Sequence, residues 1–577
     1  MVSLPLDDGI IANRKFNVKK LAIGGITGVF FIIILFCTNF INYLKIEFTR
    51  IDKSLCPIQE PRFPGGSYNN STILTILNNA DFKNSSIEKL AGATKIDTQV
   101  YDSLKNVTDD PKFWSKFKTF HKYLEKTFPA VYENTEVQKV NTYGLVFYLK
   151  GSNENLKPLM LTAHQDTVPV QSDTLDKWSY PPFEGHYDGE YVFGRGVSDC
   201  KNVLIAIMES LELLIKENYK PQRGIVVAFG FDEEISGFYG ARSLGIYLEN
   251  RFGKDSMYAI LDEGPGLTVD FLSKRIVAVP GTSEKGWADV RIQLTTPGGH
   301  SSIPPDHTSI GFMSELGYIL ESNPYEPLLT SANPTMDYLK CAAVHGGPEV
   351  PKYVKKAIIR SSYDKFANSL VVKKLQENPI TRYLIQTAQS MNVIQGGEKS
   401  NALPEHVSLL VNHRIAIEKT YESLADSIST KVVKLAKKYD LGVDAFGNTL
   451  LEAGKHGKFV VDFPSIILNP APVTPVNDTV WSYLAGSVRH VFENFVFPDV
   501  DYPIITAPAL MPANTDTRHY WDLTRNIFRF SPFFSNVTMT ENGIHSVDER
   551  IQASAHLQLV AFFYQYVQTV DTPDADN

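Results

Sequence analysis

Cysteine is scarce in this 577-residue chain: there are four, with no C-x-x-C pair and wide gaps between Cys37, Cys56, Cys200 and Cys341. That excludes a disulfide-built framework, a thiolate zinc site and a thioredoxin-like redox motif. It leaves room for one disulfide, whose partners the sequence does not assign. Charge of one sign is lacking as well. With 56 basic and 64 acidic residues and a net charge of −8, the chain has no general attraction for nucleic acid, nor is it acidic enough to be a solvating tail. No internal repeat or collagen-like period is present, and the sequence has one long apolar run rather than several, so solenoids, fibres and polytopic transporters drop out. What remains, 43% hydrophobic and 21% charged residues, is the composition of a large globular body of several domains.

The one long apolar run is Leu21–Ile41, 21 residues without a charge. As a helix it spans roughly 30 Å, one hydrocarbon core. It exceeds the roughly 7–15 apolar residues of a cleavable signal, and no small-residue cleavage site follows it. Arg14, Lys15, Lys19 and Lys20 precede the run, whereas Lys45, Arg50 and Lys53 after it are mixed with Glu47 and Asp52. The positive-inside bias therefore places residues 1–20 in the cytosol, as an arm open to sorting machinery. Residues 21–41 become a transmembrane signal anchor, and the body lies across the membrane. Asn69, Asn70, Asn84, Asn106, Asn477 and Asn536 stand in N-x-S/T frames, which fits a lumenal glycoprotein. Residues 42–85, rich in Pro, Gly, Ser and Asn, read as a stalk.

Beyond the stalk, aromatic residues recur at helical spacing over 113–128, and apolar runs such as PLMLT (158–162) and GIVVAFGF (224–231) alternate with amphipathic helical patterns at 202–216 and 241–250. This predicts an α/β catalytic domain with a mainly parallel sheet, built from residues 86–285 and 469–577. Between its parts, residues 286–468 follow a β-α-β-β-α-β order, an inserted ferredoxin-like α+β domain, with 325–390 as an added helical segment.

Polar groups recur just past the predicted strands. His164-Gln165-Asp166 follows one, Glu233-Glu234 another and Asp262 a third, while Asp199 precedes a helix. In an open α/β sheet the carboxyl ends of the strands share one rim, where ligands bind. Singly, each group has an ordinary reading: a hydrogen-bonded histidine, an N-cap aspartate, a solvated acidic pair. Together they form an oxygen and imidazole set suited to a divalent metal.

The strings HQDTVP (164–169), GRGVSDCK (194–201), FDEEISG (231–237), LDEG (261–264), GGHSSIPPDHTS (298–309), SNALP (400–404), NTDTRHYW (514–521) and GIHSVDER (543–550) together resemble the M20 family of co-catalytic zinc peptidases. The resemblance implies two zinc ions per subunit bridged by Asp199, one completed by His164 and Asp262, the other by Glu234 and His545. Asp166 would orient His164, and Glu233 would be the general base. His300 would stabilise the oxyanion, from the same subunit or from the partner of a homodimer, so the insert would serve as lid or dimerisation domain. Arg414 would receive the α-carboxylate of a short peptide, with Asn401 and Arg518 as further substrate contacts. The activity implied is that of a vacuolar, lumen-facing carboxypeptidase preferring Gly at the penultimate position, and the alternative is an N-acyl-amino-acid amidohydrolase. His186, His307 and His413 are read as structural.

Overall fold

The runs Leu159–His164 (LMLTAH) and Ile225–Gly230 (IVVAFG) are buried at every position, as strands must be when both faces of a sheet are covered. The structure is a computed structural model that describes residues 27, 29–30, 33–34, 40–65, 70–102, 104–535, 537 and 541–576. The expected cytosolic arm, most of the expected anchor at 21–41, and the sequons at Asn69 and Asn536 lie outside the described residues. Among the described residues no helix is long and apolar enough to cross a membrane.

The main sheet has eight strands, in spatial order Glu136–Val140, Gly144–Leu149, Ile225–Gly230, Leu159–His164, Ala259–Asp262, Ile527–Arg529, Gly281–Glu284 and Ala509–Met511. Its central strands, from Ile225–Gly230 to Ile527–Arg529, pair in parallel, so their carboxyl ends share one rim. The sheet is mixed, with four of its seven pairings parallel and the antiparallel ones towards its edges. Glu136–Val140 and Gly144–Leu149 form a hairpin, which is necessarily antiparallel, and Ile527–Arg529 meets Gly281–Glu284 antiparallel. The outer hairpin strand reads EVQKV and is largely exposed, so hydrophobic periodicity gave no sign of it.

Alternating side chains send the strands into two cores. Leu159, Leu161, Val227 and Phe229 pack with the helices Asn202–Lys216 and Ala553–Thr569 on one face. Met160, Val226, Ala228 and Ile260 pack with Leu244 and Leu248 of the helix Ala241–Phe252 on the other.

The insert has its own six-stranded sheet, ordered Ala388–Gly396, His406–Ile415, Gly286–Thr295, Lys458–Asp462, Gly442–Ala445 and Asn448–Leu451. The helices Ser309–Ser322 and Tyr421–Lys438 cover one face, with Val290, Ile292, Leu316 and Ile428 in a separate core. Four helices between Pro334 and Arg382 make a further lobe.

Residues 42–85 are not a free stalk. Ile46 is buried against Ala357 and Ala367 of the helical lobe, and Cys56 is disulfide-bonded to Cys341. Arg489 donates to the Gln59 carbonyl at 2.6 Å. The helices Ser71–Asn78 and Ala80–Thr94 place Ile73, Ile76, Ile87 and Leu90 in the main core. Those apolar residues stand at helical spacing inside a polar composition, and the composition hid them.

Candidate active site

Three adjacent parallel strands deliver the polar groups to one rim. His164 is the last residue of its strand, Glu233 and Glu234 follow Ile225–Gly230 in a short 3-10 turn, and Glu263 follows Ala259–Asp262. Asp199 arrives from the loop before the helix Asn202–Lys216. That loop turns at Gly196, where φ is +80° and the Thr167 methyl occupies the space of a Cβ. The Asp199–Cys200 peptide is cis. His545, itself at φ +59°, comes from the segment 541–549, more than three hundred residues further along the chain.

Asp199 stands between two histidines. Its Oδ1 is 3.1 Å from His164 Nε2 and its Oδ2 is 3.2 Å from His545 Nε2. Glu263 Oε1 lies 3.5 Å from His164 Nε2, and Glu234 Oε2 lies 3.1 Å from His545 Nε2. Two metal-capable groups result, His164–Asp199–Glu263 with the Cys200 thiol nearby, and Asp199–Glu234–His545. Glu263 is the acidic residue of this strand end that falls in the first group, and the expected ligand Asp262 stands one residue before it. Asp262 accepts the Glu263 N–H at 2.9 Å and is buried with its other oxygen unpaired.

The donor set suits cations. His164 Nδ1–H donates to the Asp166 carbonyl at 3.0 Å, and Nε2 faces the acceptor oxygens of Asp199 and Glu263. Burial pushes Glu263 up to about 8 and Glu234 up to about 7. Hydrogen bonds to Asp199 and Glu234 push the His545 imidazole up to about 10. Acceptors gathered this way are stabilised by shared positive charge. Cys200 does not compete as a thiolate, since burial holds its thiol well above the usual range and its sulfur takes the His164 N–H at 3.3 Å.

Asp166, fully buried, accepts the backbone N–H groups of Glu233 at 3.1 Å and Glu234 at 3.0 Å. It therefore fixes the acidic turn as well as His164. Glu233 faces Arg518, whose Nη2 is 3.6 Å from Oε1, and burial pushes the Glu233 carboxyl well up. Arg414, on the insert strand His406–Ile415, donates to Asn514 Oδ1 at 2.9 Å. Burial, and then the charge of Arg518, lower the Arg414 guanidinium, while Glu233 acts on it in the opposite sense. The insert thus brings a cation within electrostatic reach of Arg518 and Glu233, and Asn514, which also donates to the Lys285 carbonyl at 2.6 Å, joins the two domains there.

His300 and Asn401 are not part of this arrangement. They sit together on the exposed ribbon formed by Gly299–His300 and Ala402–Leu403. The His300 ring bonds Ser302 at 2.7 Å, and no hydrogen bond or ion pair ties it to the acidic cluster. His186 stacks on Tyr180, His307 packs on Tyr439, and His413 is buried opposite Tyr325. Sequence reasoning missed Glu263, although the Glu233–Glu234 pair was a signal that neighbouring carboxylates can divide their roles. It also missed Asn514, which has no spacing signal.

A profile of peptidase family M20/M25/M40 matches residues 160–569. The chain is 40% identical over 523 residues to carboxypeptidase S of Saccharomyces cerevisiae, covering 89% of each chain. It is 30% identical over 491 residues to the mouse (Mus musculus) protein named N-fatty-acyl-amino acid synthase/hydrolase PM20D1, covering 84% of this chain and 88% of that one. Among solved structures, the dipeptidase Dug1p of Saccharomyces cerevisiae superposes with a TM-score of 0.58 at 13% identity, over 88% of this chain and all of that one; this likeness is one of fold.

Proposed function

The chain belongs to the M20/M25/M40 peptidase family and is an enzyme of the metallocarboxypeptidase type, and from that premise we propose that it releases the C-terminal residue of short peptides, preferring Gly at the penultimate position. The observation that carries this reading is a pair of guanidiniums around Glu233: Arg518, 3.6 Å from its carboxylate, and Arg414, within electrostatic reach of both. They form a cationic receptor for a carboxylate next to a group placed to move protons.

In this reading His164, Asp199 and Glu263 hold one zinc ion and Asp199, Glu234 and His545 the other. Bound there, such ions polarise the scissile carbonyl and acidify water. Arg414 takes the substrate carboxylate in a charge-assisted contact, with Asn514 holding the guanidinium in place. Glu233 removes a proton from the attacking water and delivers it to the leaving nitrogen. His300 donates to the oxyanion once the insert closes, or from the insert of a second copy. Replacing Arg414 by Met is expected to lower kcat/KM about 10–100-fold on free-carboxylate substrates, the loss of ~1.5–3 kcal/mol of charged hydrogen bonding. An unchanged kcat/KM would remove Arg414 from the site.

The second reading, an N-acyl-amino-acid amidohydrolase, draws on the name of the mouse relative. Parallel rates on N-blocked Gly-Leu, N-blocked Ala-Leu, N-blocked Gly-leucinamide, acetyl-leucine and a long-chain acyl-leucine separate the two. Carboxypeptidase action gives fast release from blocked Gly-Leu, slower release from Ala-Leu and none from the amide. Turnover of the acyl-leucines alone contradicts it.

We also place the body in the lumen of the vacuole, reached through the secretory pathway and tethered by 21–41 in type II orientation. The Cys56–Cys341 disulfide supports an oxidising compartment. So do the exposed sequons at Asn70, Asn84, Asn106 and Asn477. A non-reduced digest of the native protein is expected to yield a linked Cys56–Cys341 peptide and glycan on those asparagines. Free thiols at both cysteines and bare sequons would place the body elsewhere.

A further inference from the structure

The two halves of the acidic cluster come from distant parts of the chain, and one buried carboxylate joins them. Glu549 is fully buried. Its Oε1 accepts the backbone N–H groups of Ser198 at 2.9 Å and Asp199 at 3.1 Å. Its Oε2 accepts that of Gly196 at 3.0 Å and the Arg195 guanidinium at 2.7 Å. The other arm of Arg195 donates to the Ser546 carbonyl at 3.0 Å, one residue past His545. The Gly194 N–H donates to the Glu549 carbonyl at 2.9 Å, and Arg550–Gln552 then pairs antiparallel with Tyr191–Phe193. Asp548 adds a further tie, accepting the Ser179 N–H and hydroxyl at 2.6 and 2.7 Å. The loop that carries Asp199 is therefore clasped to the segment that carries His545 through Ser546 and Glu549.

We propose that Glu549 is a positioning residue for the metal site: it fixes the distance between Asp199 and His545 and so sets the affinity of the ion they share with Glu234. The proposal rests on the metal reading of that site. All four donors meeting Glu549 are N–H groups, which only a carboxylate can accept on both oxygens. In Glu549→Gln one oxygen becomes an NH2 facing N–H donors. The mismatch is relieved most easily by moving the loop 196–199, and Asp199 moves with it. A clasp that acted on stability alone would leave metal binding untouched. The Arg223–Asp576 pair, 2.7 Å apart with the guanidinium buried, supplies the comparison, because it ties the strand-entry residue 223 to the C-terminal segment and has no contact with the site.

The test uses the full chain, stripped of metal and titrated with zinc alone, for the wild type, Glu549→Gln and Asp576→Asn, with the metal-free thermal midpoint of each. The wild type is expected to bind two ions. Glu549→Gln is expected to bind one of them roughly 10–100-fold more weakly, while Asp576→Asn keeps the wild-type isotherm whatever its midpoint. Should Glu549→Gln not fold, Arg195→Lys carries the same test, since it keeps the carboxylate and its three backbone bonds but loses the reach to Ser546; the same weakening is expected. A wild-type isotherm in the clasp variant, or equal weakening in Asp576→Asn, overturns the positioning role and leaves the metal reading intact. A wild type that binds no zinc overturns both.

Discussion

Replacing Glu233 by Gln is expected to lower kcat on N-blocked Gly-Leu about 10³-fold, ~4 kcal/mol, with bound metal unchanged. The separation of the two effects follows from the turn that carries the residue. Glu233 and Glu234 are held by their backbone N–H groups on the two oxygens of Asp166, so an amide at position 233 does not displace its neighbour. Glu233 itself is in neither metal-capable group. Its carboxylate faces Arg518, and burial favours the proton-bound form, which suits a group that must both take and give a proton. Gln fills the same volume but can do neither. A loss below tenfold, or a loss accompanied by departure of a metal ion, would take the base role from Glu233.

A larger effect is expected at Asp199. Its two oxygens lie 3.1 and 3.2 Å from the two histidines, and it is the one residue common to both metal-capable groups. Asp199→Ala is therefore expected to lose both ions and more than about 10³-fold in rate, several kcal/mol of carbonyl and water activation. Glu263→Ala removes a ligand from one group only and is expected to keep the ion on the side of His545. Metal analysis of the two purified variants distinguishes the cases. Equal retention by both would show that Asp199 is not shared. Although burial opposes it, hydrogen bonds to His164 and His545 hold the Asp199 carboxyl well below its usual range, so it is the carboxylate of the cluster that stays charged.

Much of this site could be read in the sequence because strand ends are legible. Fully apolar runs located the central strands, and the residues just past them, His164, Glu233 and Glu234, fell on the common rim. The helix predicted at 202–216 is observed with those bounds. Three things were not legible, each for a physical reason. Periodicity fixes the end of a strand but not how two successive carboxylates there, Asp262 and Glu263, divide the space around His164, so Glu263 was not singled out. A polar edge strand such as EVQKV carries no burial signal, so the antiparallel hairpin at the sheet edge was not anticipated. Long-range closure leaves no local trace. His545 entered only through family resemblance, the clasp by Glu549 had no sequence signature, and pairing Cys56 with Cys341 required knowing that the segment around Ile46 and Cys56 folds back on the helical lobe.

The central claim is that one metal-dependent site cleaves a terminal peptide bond, and the most direct measurement is leucine release from N-blocked Gly-Leu by the full-length protein before chelation, after it, and after zinc is restored. The expected result is rapid release, its disappearance when metal is removed, and recovery as two zinc ions per chain return. Release that persists in metal-free protein, or a protein that regains two ions and leaves the dipeptide intact, would contradict it.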